Sequence, residues 1–161
     1  MKRLDNNLNN IQDVALITSL ADVNTDLITM NIGKFLGKGT YRTVYEYNMD
    51  SRYVIKIEPD NTSCNLMEYT LWDEIQGLTG KLVWVKDWFA PVHYCSPNGK
   101  ILIMERTIQN YSRTRPNVVP NFFTDVKSNN FGWLGKNFVC HDYGFIWRFI
   151  KYEKKFQKIE W

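Results

Sequence analysis

Between residues 32 and 57 the apolar pattern has a period of two and is broken twice by turn residues, which leaves few local folds open. Phe35-Leu36 runs into Gly37-Lys38-Gly39, and Thr43-Val44-Tyr45-Glu46-Tyr47 follows. A turn at Asn48-Met49-Asp50 then leads into Tyr53-Val54-Ile55-Lys56-Ile57. Alternation rich in β-branched and aromatic residues predicts a hairpin followed by a third strand. Beyond it the spacing changes. Over residues 65–76, Leu66, Tyr69, Leu71 and Ile75 lie near helical intervals, and Gly77 stands just past the end as a stop.

The flanks are read less sharply. Residues 9–30 mix Ile11, Val14, Ala15, Leu20 and Leu27 with polar positions, which suits one or two short helices. Downstream, strands are predicted over residues 82–89 and 100–104, around the turn Ser96-Pro97-Asn98-Gly99. An irregular stretch with Pro116 and Pro120 precedes a second hairpin, residues 130–133 and 138–141, turning at Leu134-Gly135-Lys136. In the tail, Phe145, Phe149, Tyr152, Phe156 and Ile159 recur at intervals of four and three, as in an amphipathic helix. The fold class is therefore α+β.

Composition excludes several classes. With 161 residues, 44% hydrophobic and 15% aromatic, the chain can bury a core as one domain or as two small lobes sharing a cleft. A net charge of +3 is compatible with binding a polyphosphate but too weak to name nucleic acid as a partner. Cys64, Cys95 and Cys140 are widely spaced, and with only His93 and His141 they suggest no zinc site, so they read as reduced thiols. The N-terminus lacks an apolar signal region, and no run approaches about 18 apolar residues. The expectation is a soluble, cytoplasmic protein that does not enter membranes.

Four fragments carry chemistry. The glycine turn Gly37-Lys38-Gly39 lets a backbone approach phosphate oxygens without a Cβ in the way, although two glycines in a hairpin are by themselves only a turn. It is not a P-loop, which needs GxxxxGK[ST] leading into a helix. Lys56 lies near the end of an apolar strand, and Glu68 follows on the next helix. A lysine–glutamate pair between them would hold the ammonium for phosphate oxygens, with Glu74 as the fallback partner. Thr124-Asp125-Val126-Lys127-Ser128-Asn129-Asn130 sets an aspartate, a lysine two residues on and an asparagine five on. Twelve residues after Asn130 lies Asp142-Tyr143-Gly144.

Taken in order, these fragments resemble the protein kinases, whose catalytic loop reads HRDLKxxN and whose metal motif reads DFG. The likeness spans residues 32–145. It implies a protein-kinase-like fold: an antiparallel N-lobe sheet with one αC-like helix, and a much reduced C-lobe. The expected divisions are a helical extension over 1–31, an N-lobe and hinge over 32–107, and a truncated C-lobe over 108–161. It implies ATP and Mg²⁺ as cofactors. Gly37, Gly39 and Val44 would cover the nucleotide, with Lys56 on its α- and β-phosphates and Glu68 holding Lys56. Met104 would lie behind the adenine, with the backbone of Glu105 and Thr107 at its edge. Asp125 would orient the attacking hydroxyl, and Lys127 would neutralise the γ-phosphate. Asn130 and Asp142 would ligate the metal through hard oxygens.

The chain also departs from the family. Arg42 replaces the third glycine of the turn, and Phe123-Thr124 replace the His-Arg of the loop. Without that arginine, control by a phosphorylated activation loop is not expected. Residues 108–124 are too few for the two helices that kinases place there, and residues 145–161 hold no activation segment. Substrate recognition would then fall to the N-terminal region, the tail or a partner protein, and an oligomer or complex is compatible with the reduced lobe. The aromatic tail (Phe145, Trp147, Phe149, Phe156, Trp161) suits core packing better than an interface. The leading expectation is phosphorylation of a protein Ser/Thr hydroxyl. The alternative is a pseudokinase-like module that grips a partner without catalysis, followed by small-molecule phosphorylation. Compactness and asparagine richness suit a viral or bacteriophage product acting on host proteins.

Overall fold

The computed structural model describes residues 30–59, 62–146 and 154–161, so the expected helices within 9–30 lie outside the described residues, save Met30. The fold is α+β, and no helix among the described residues is long and apolar enough to cross a membrane. The chain divides into two compact units. One takes the described residues up to Asn65 together with His93–Met104; the other takes Leu66–Val92 and Glu105–Trp161.

The first unit is a five-stranded sheet. Strands β1 (Ile32–Lys38), β2 (Thr43–Tyr47) and β3 (Tyr53–Ile57) form the expected hairpin and third strand, both pairs antiparallel. Strands β4 (Val92–Cys95) and β5 (Ile101–Glu105) complete the order β1-β2-β3-β5-β4. Register is set by the buried side of the alternation: Tyr47, Ile55, Ile101 and Ile103 form a core, flanked by Tyr53, Ile57 and Tyr94. Full burial of each such isoleucine contributes roughly 1.5–3 kcal/mol. Gly33 is required by a close approach, because a Cβ there would lie 2.6 Å from the Asn48 Oδ1 and 2.9 Å from the Glu46 carbonyl oxygen. The Asn48 amide in turn donates to the carbonyls of Met30 and Ile32, each at 3.0 Å, and so fixes the β2–β3 turn against the start of β1.

Helix α1 (Cys64–Gln76) is the helix expected from residues 65–76, and its residues from Leu66 onward belong to the second unit. That unit is organised around rings. Phe89 stacks on Phe122 with centroids 5.7 Å apart and meets Phe123 at 5.2 Å and Tyr143 at 5.0 Å. Phe123 continues to Phe131, and Phe131 to Phe138 and Trp161. Strands β7 (Phe131–Leu134) and β8 (Asn137–Cys140) are the expected second hairpin.

Three elements differ from expectation. Residues 82–89, read as a strand, form a 3₁₀ helix over Gly80–Trp88 that buries Val85 fully. An apolar, aromatic run of this length does not distinguish the two by periodicity. The short β4 went unread because Pro91 precedes only four strand residues. The tail, read as a helix, forms strand β9 (Phe156–Lys158), which pairs antiparallel with β6 (Val118–Pro120). Long-range pairing and ring packing override the local helical period there; residues 147–153 of that expected helix lie outside the described residues.

Candidate functional site

In the first unit, the glycine turn joins β1 to β2. Gly37 pairs with Val44 across the strands, and the Gly39 amide donates to the Arg42 carbonyl at 2.8 Å. A Cβ at Gly37 would meet nothing within 4 Å, and one at Gly39 would find only the Arg42 carbonyl, at 3.8 Å. The unit itself therefore makes no demand for glycine at either place. Lys56 sits opposite Val44 on β3 and is 3% exposed, so its stem is buried rather than turned outward as in an ordinary strand lysine.

Arg42, the residue in place of a third glycine, is buried and donates to the Asn65 Oδ1 at 3.3 Å. Asn65 is fully buried, and its amide donates to the carbonyls of Lys56 (3.3 Å) and Gly99 (2.9 Å). The carboxylate of Glu58, 2% exposed, receives the amides of Cys64 (3.2 Å) and Asn65 (2.8 Å) and the hydroxyl of Thr62 (2.6 Å). A carboxylate on the first amides of a helix satisfies orphan donors and favours the helix dipole. Burial pushes the Glu58 carboxyl up, but the hydrogen bonds from Thr62, Asn65, Cys64 and Ser63 outweigh it and leave the group below its ordinary value. Glycine turn, Lys56 strand, β4–β5 turn and helix start thus share one polar network.

In the second unit, the Asp125 segment follows two buried rings, Phe122 and Phe123, and closes in a 3₁₀ turn over Ser128–Asn130. Lys127 Nζ lies 2.9 Å from Asp125 Oδ1, both side chains being well exposed. An exposed pair of this kind contributes at most about 1 kcal/mol, so a competing anion can draw the ammonium away at small cost. The buried Asn130 donates through Nδ2 to the Asp125 carbonyl and to its Oδ2, both at 3.1 Å. Aspartate, lysine and asparagine are therefore brought together.

The Asn130 carbonyl accepts the His141 amide at 2.8 Å, which sets Asp142 one residue beyond the backbone partner of Asn130. Asp142 is exposed, while Tyr143 beside it is buried and donates its hydroxyl to the Ala90 carbonyl at 2.7 Å. Glu68 is fully buried on α1 and accepts the Tyr143 amide at 2.8 Å; Glu74 is exposed. The glutamate expected to hold Lys56 thus has a bond to the Asp-Tyr-Gly backbone that no sequence pattern announces.

Met104 is fully buried on β5. The Glu105 amide donates to the Pro91 carbonyl at 2.9 Å, so any bond from its backbone to a base edge falls to its own carbonyl. Thr107 Oγ1 is 2.7 Å from His141 Nδ1, and His141 Nε2 is 2.9 Å from the Asn129 carbonyl oxygen. Sequence reasoning missed His141 as a bridge between the segment after β5 and the Asp125 loop.

With Nδ2 committed to Asp125, the Asn130 Oδ1 is the atom suited to a hard cation, and the Asp142 carboxylate is chemically its natural companion. Oxygen donors of this type are the kind that Mg²⁺ takes beside phosphate and water. No group of three or more His, Cys, Asp or Glu side chains among the described residues forms a self-sufficient metal cage. No disulfide joins Cys64, Cys95 or Cys140. No protein-family model, curated protein or solved structure matches the chain.

Proposed function

We propose that the chain is an ATP- and Mg²⁺-dependent phosphotransferase of the protein-kinase type, acting on a protein Ser/Thr hydroxyl. The observation that carries this reading is the convergence of Lys127 and Asn130 on Asp125, with Asp142 set one residue from His141, the backbone hydrogen-bond partner of Asn130. Asp125 orients the attacking hydroxyl, Lys127 moves from an exposed, weak pair onto the γ-phosphate, and Asn130 with Asp142 holds Mg²⁺. Lys56 and the open glycine turn, Gly37 to Val44, serve the nucleotide phosphates, and Met104, Glu105 and Thr107 serve its base. Reaction and positioning by charge need no further covalent chemistry from the protein.

A second reading, a module that binds a partner without turnover, draws support from Phe35, Leu36 and Tyr41. These are 55%, 39% and 44% exposed along the glycine-turn hairpin. One experiment separates the two. Purified protein is incubated with γ-labelled ATP and Mg²⁺, with and without bacterial lysate, beside Asp125→Asn and Asp142→Ala. Label on the protein or on a lysate protein, reduced about 10²-fold or more in both variants, supports the transferase. Absence of label, with ATP still protecting against heat, overturns it in favour of the binding module.

A further inference from the structure

The last eight residues hold both flanks of the Asp125 loop. Strand β9 pairs with β6 just before it, and the Asn121 amide extends the ladder to the Lys155 carbonyl at 3.0 Å. Gln157 reaches past this ladder: its side-chain amide donates to the Phe123 carbonyl at 2.6 Å, two residues before Asp125. Trp161 donates Nε1–H to the Pro116 carbonyl at 2.6 Å and packs edge-on against Phe131, the residue after Asn130. We infer that Gln157 is a positioning residue for Asp125, and that the C-terminal strand is the regulatory handle of this loop, because whatever lifts β9 from β6 releases the Phe123 carbonyl.

The catalytic side of this inference rests on the phosphotransferase reading; the positioning itself does not, and it is measured apart from turnover. Gln157→Met keeps length and apolar bulk but removes the donor. Amide exchange at Asn130 and His141 is expected to quicken about five- to tenfold, as for the lost bond to Phe123, the bond to Pro120 at 3.4 Å being the weaker of the two, while amides in β2 and β3 keep their rates. In the transferase assay kcat falls by a similar factor with KM for ATP unchanged, and Gln157→Lys, which retains a donor, recovers it. Trp161→Phe, which keeps the ring and loses Nε1–H, moves the same amides in the same direction. Unchanged exchange at the loop in both variants, or a uniform rise across all amides as in general destabilisation, overturns the inference. A wild-type chain without transfer overturns the enzymatic reading, and the exchange comparison still decides the positioning.

Discussion

The groups around Lys56 and those around Asp125 are fixed in different ways. In the sheet unit, Arg42, Asn65 and Glu58 form a buried network of directional bonds, so geometry there depends on charge state and on each donor having its acceptor. In the other unit, the Asp125 loop hangs from a chain of rings running from Phe89 through Phe123 to Phe131, where geometry depends on filled volume. The first kind of support is sensitive to acid and to isosteric change. The second, in its rings, carries no charge and is sensitive to any loss of size.

The largest effect should come from emptying the ring cluster. Phe89→Ala removes a ring that is 1% exposed and is expected to cost about 3–5 kcal/mol in chemical denaturation, with no dependence on pH. Next is the polar network. Glu58→Gln keeps the shape but loses the charge, and about 1–3 kcal/mol should go with it at neutral pH. The pH dependence distinguishes the two supports. Because the folded Glu58 carboxyl lies below its ordinary 4.5, its stabilisation is fully present above that value and is lost as pH falls through the lower folded value. The acid limb of the stability curve should therefore flatten in Glu58→Gln and persist in Phe89→Ala; equal slopes in both would erase the contrast.

Gly33→Ala sets a methyl against Asn48 and the Glu46 carbonyl and should cost roughly 1–3 kcal/mol, read as a fall in melting temperature. The smallest effect is expected at Arg52→Ala. The Arg52 guanidinium holds the Asp50 carboxyl below its usual range from 2.6 Å, but Arg52 is mostly exposed, and less than about 1 kcal/mol should be lost. A larger loss would mean that the β2–β3 turn shares the rigidity of the network nearby.

Much of the sheet unit was legible because its determinants are local. The period of two in β1 to β3 and the turn at Asn48 each predict their own element, as does the helical spacing in α1, most of which belongs to the other unit. The Asp125–Lys127–Asn130 grouping is read from the resemblance of a short motif, and Lys127 and Asn130 both lie within hydrogen-bonding distance of Asp125. What could not be read depends on residues far apart. Glu58 looks like a strand-end charge until the start of α1 folds back over it, and Arg42 looks like a loop cation until Asn65 meets it. Gln157 and His141 carry no signature at all, because each acts on a carbonyl more than ten positions away. The tail misled by its own regularity: a helical recurrence of aromatics also serves a strand when rings from Trp84 and Trp88 are there to receive Phe156.

That last contact has an optical consequence. Trp84 and Trp88 stand on the Gly80–Trp88 helix with their rings 5.8 and 6.0 Å from Phe156, while Trp161, three residues past β9, meets Phe138 at 5.2 Å. Among the described residues, two tryptophans therefore pack directly on β9. Lifting that strand would expose these indoles further to water and shift their emission to the red, so the chain carries an intrinsic fluorescent gauge of whether β9 is docked.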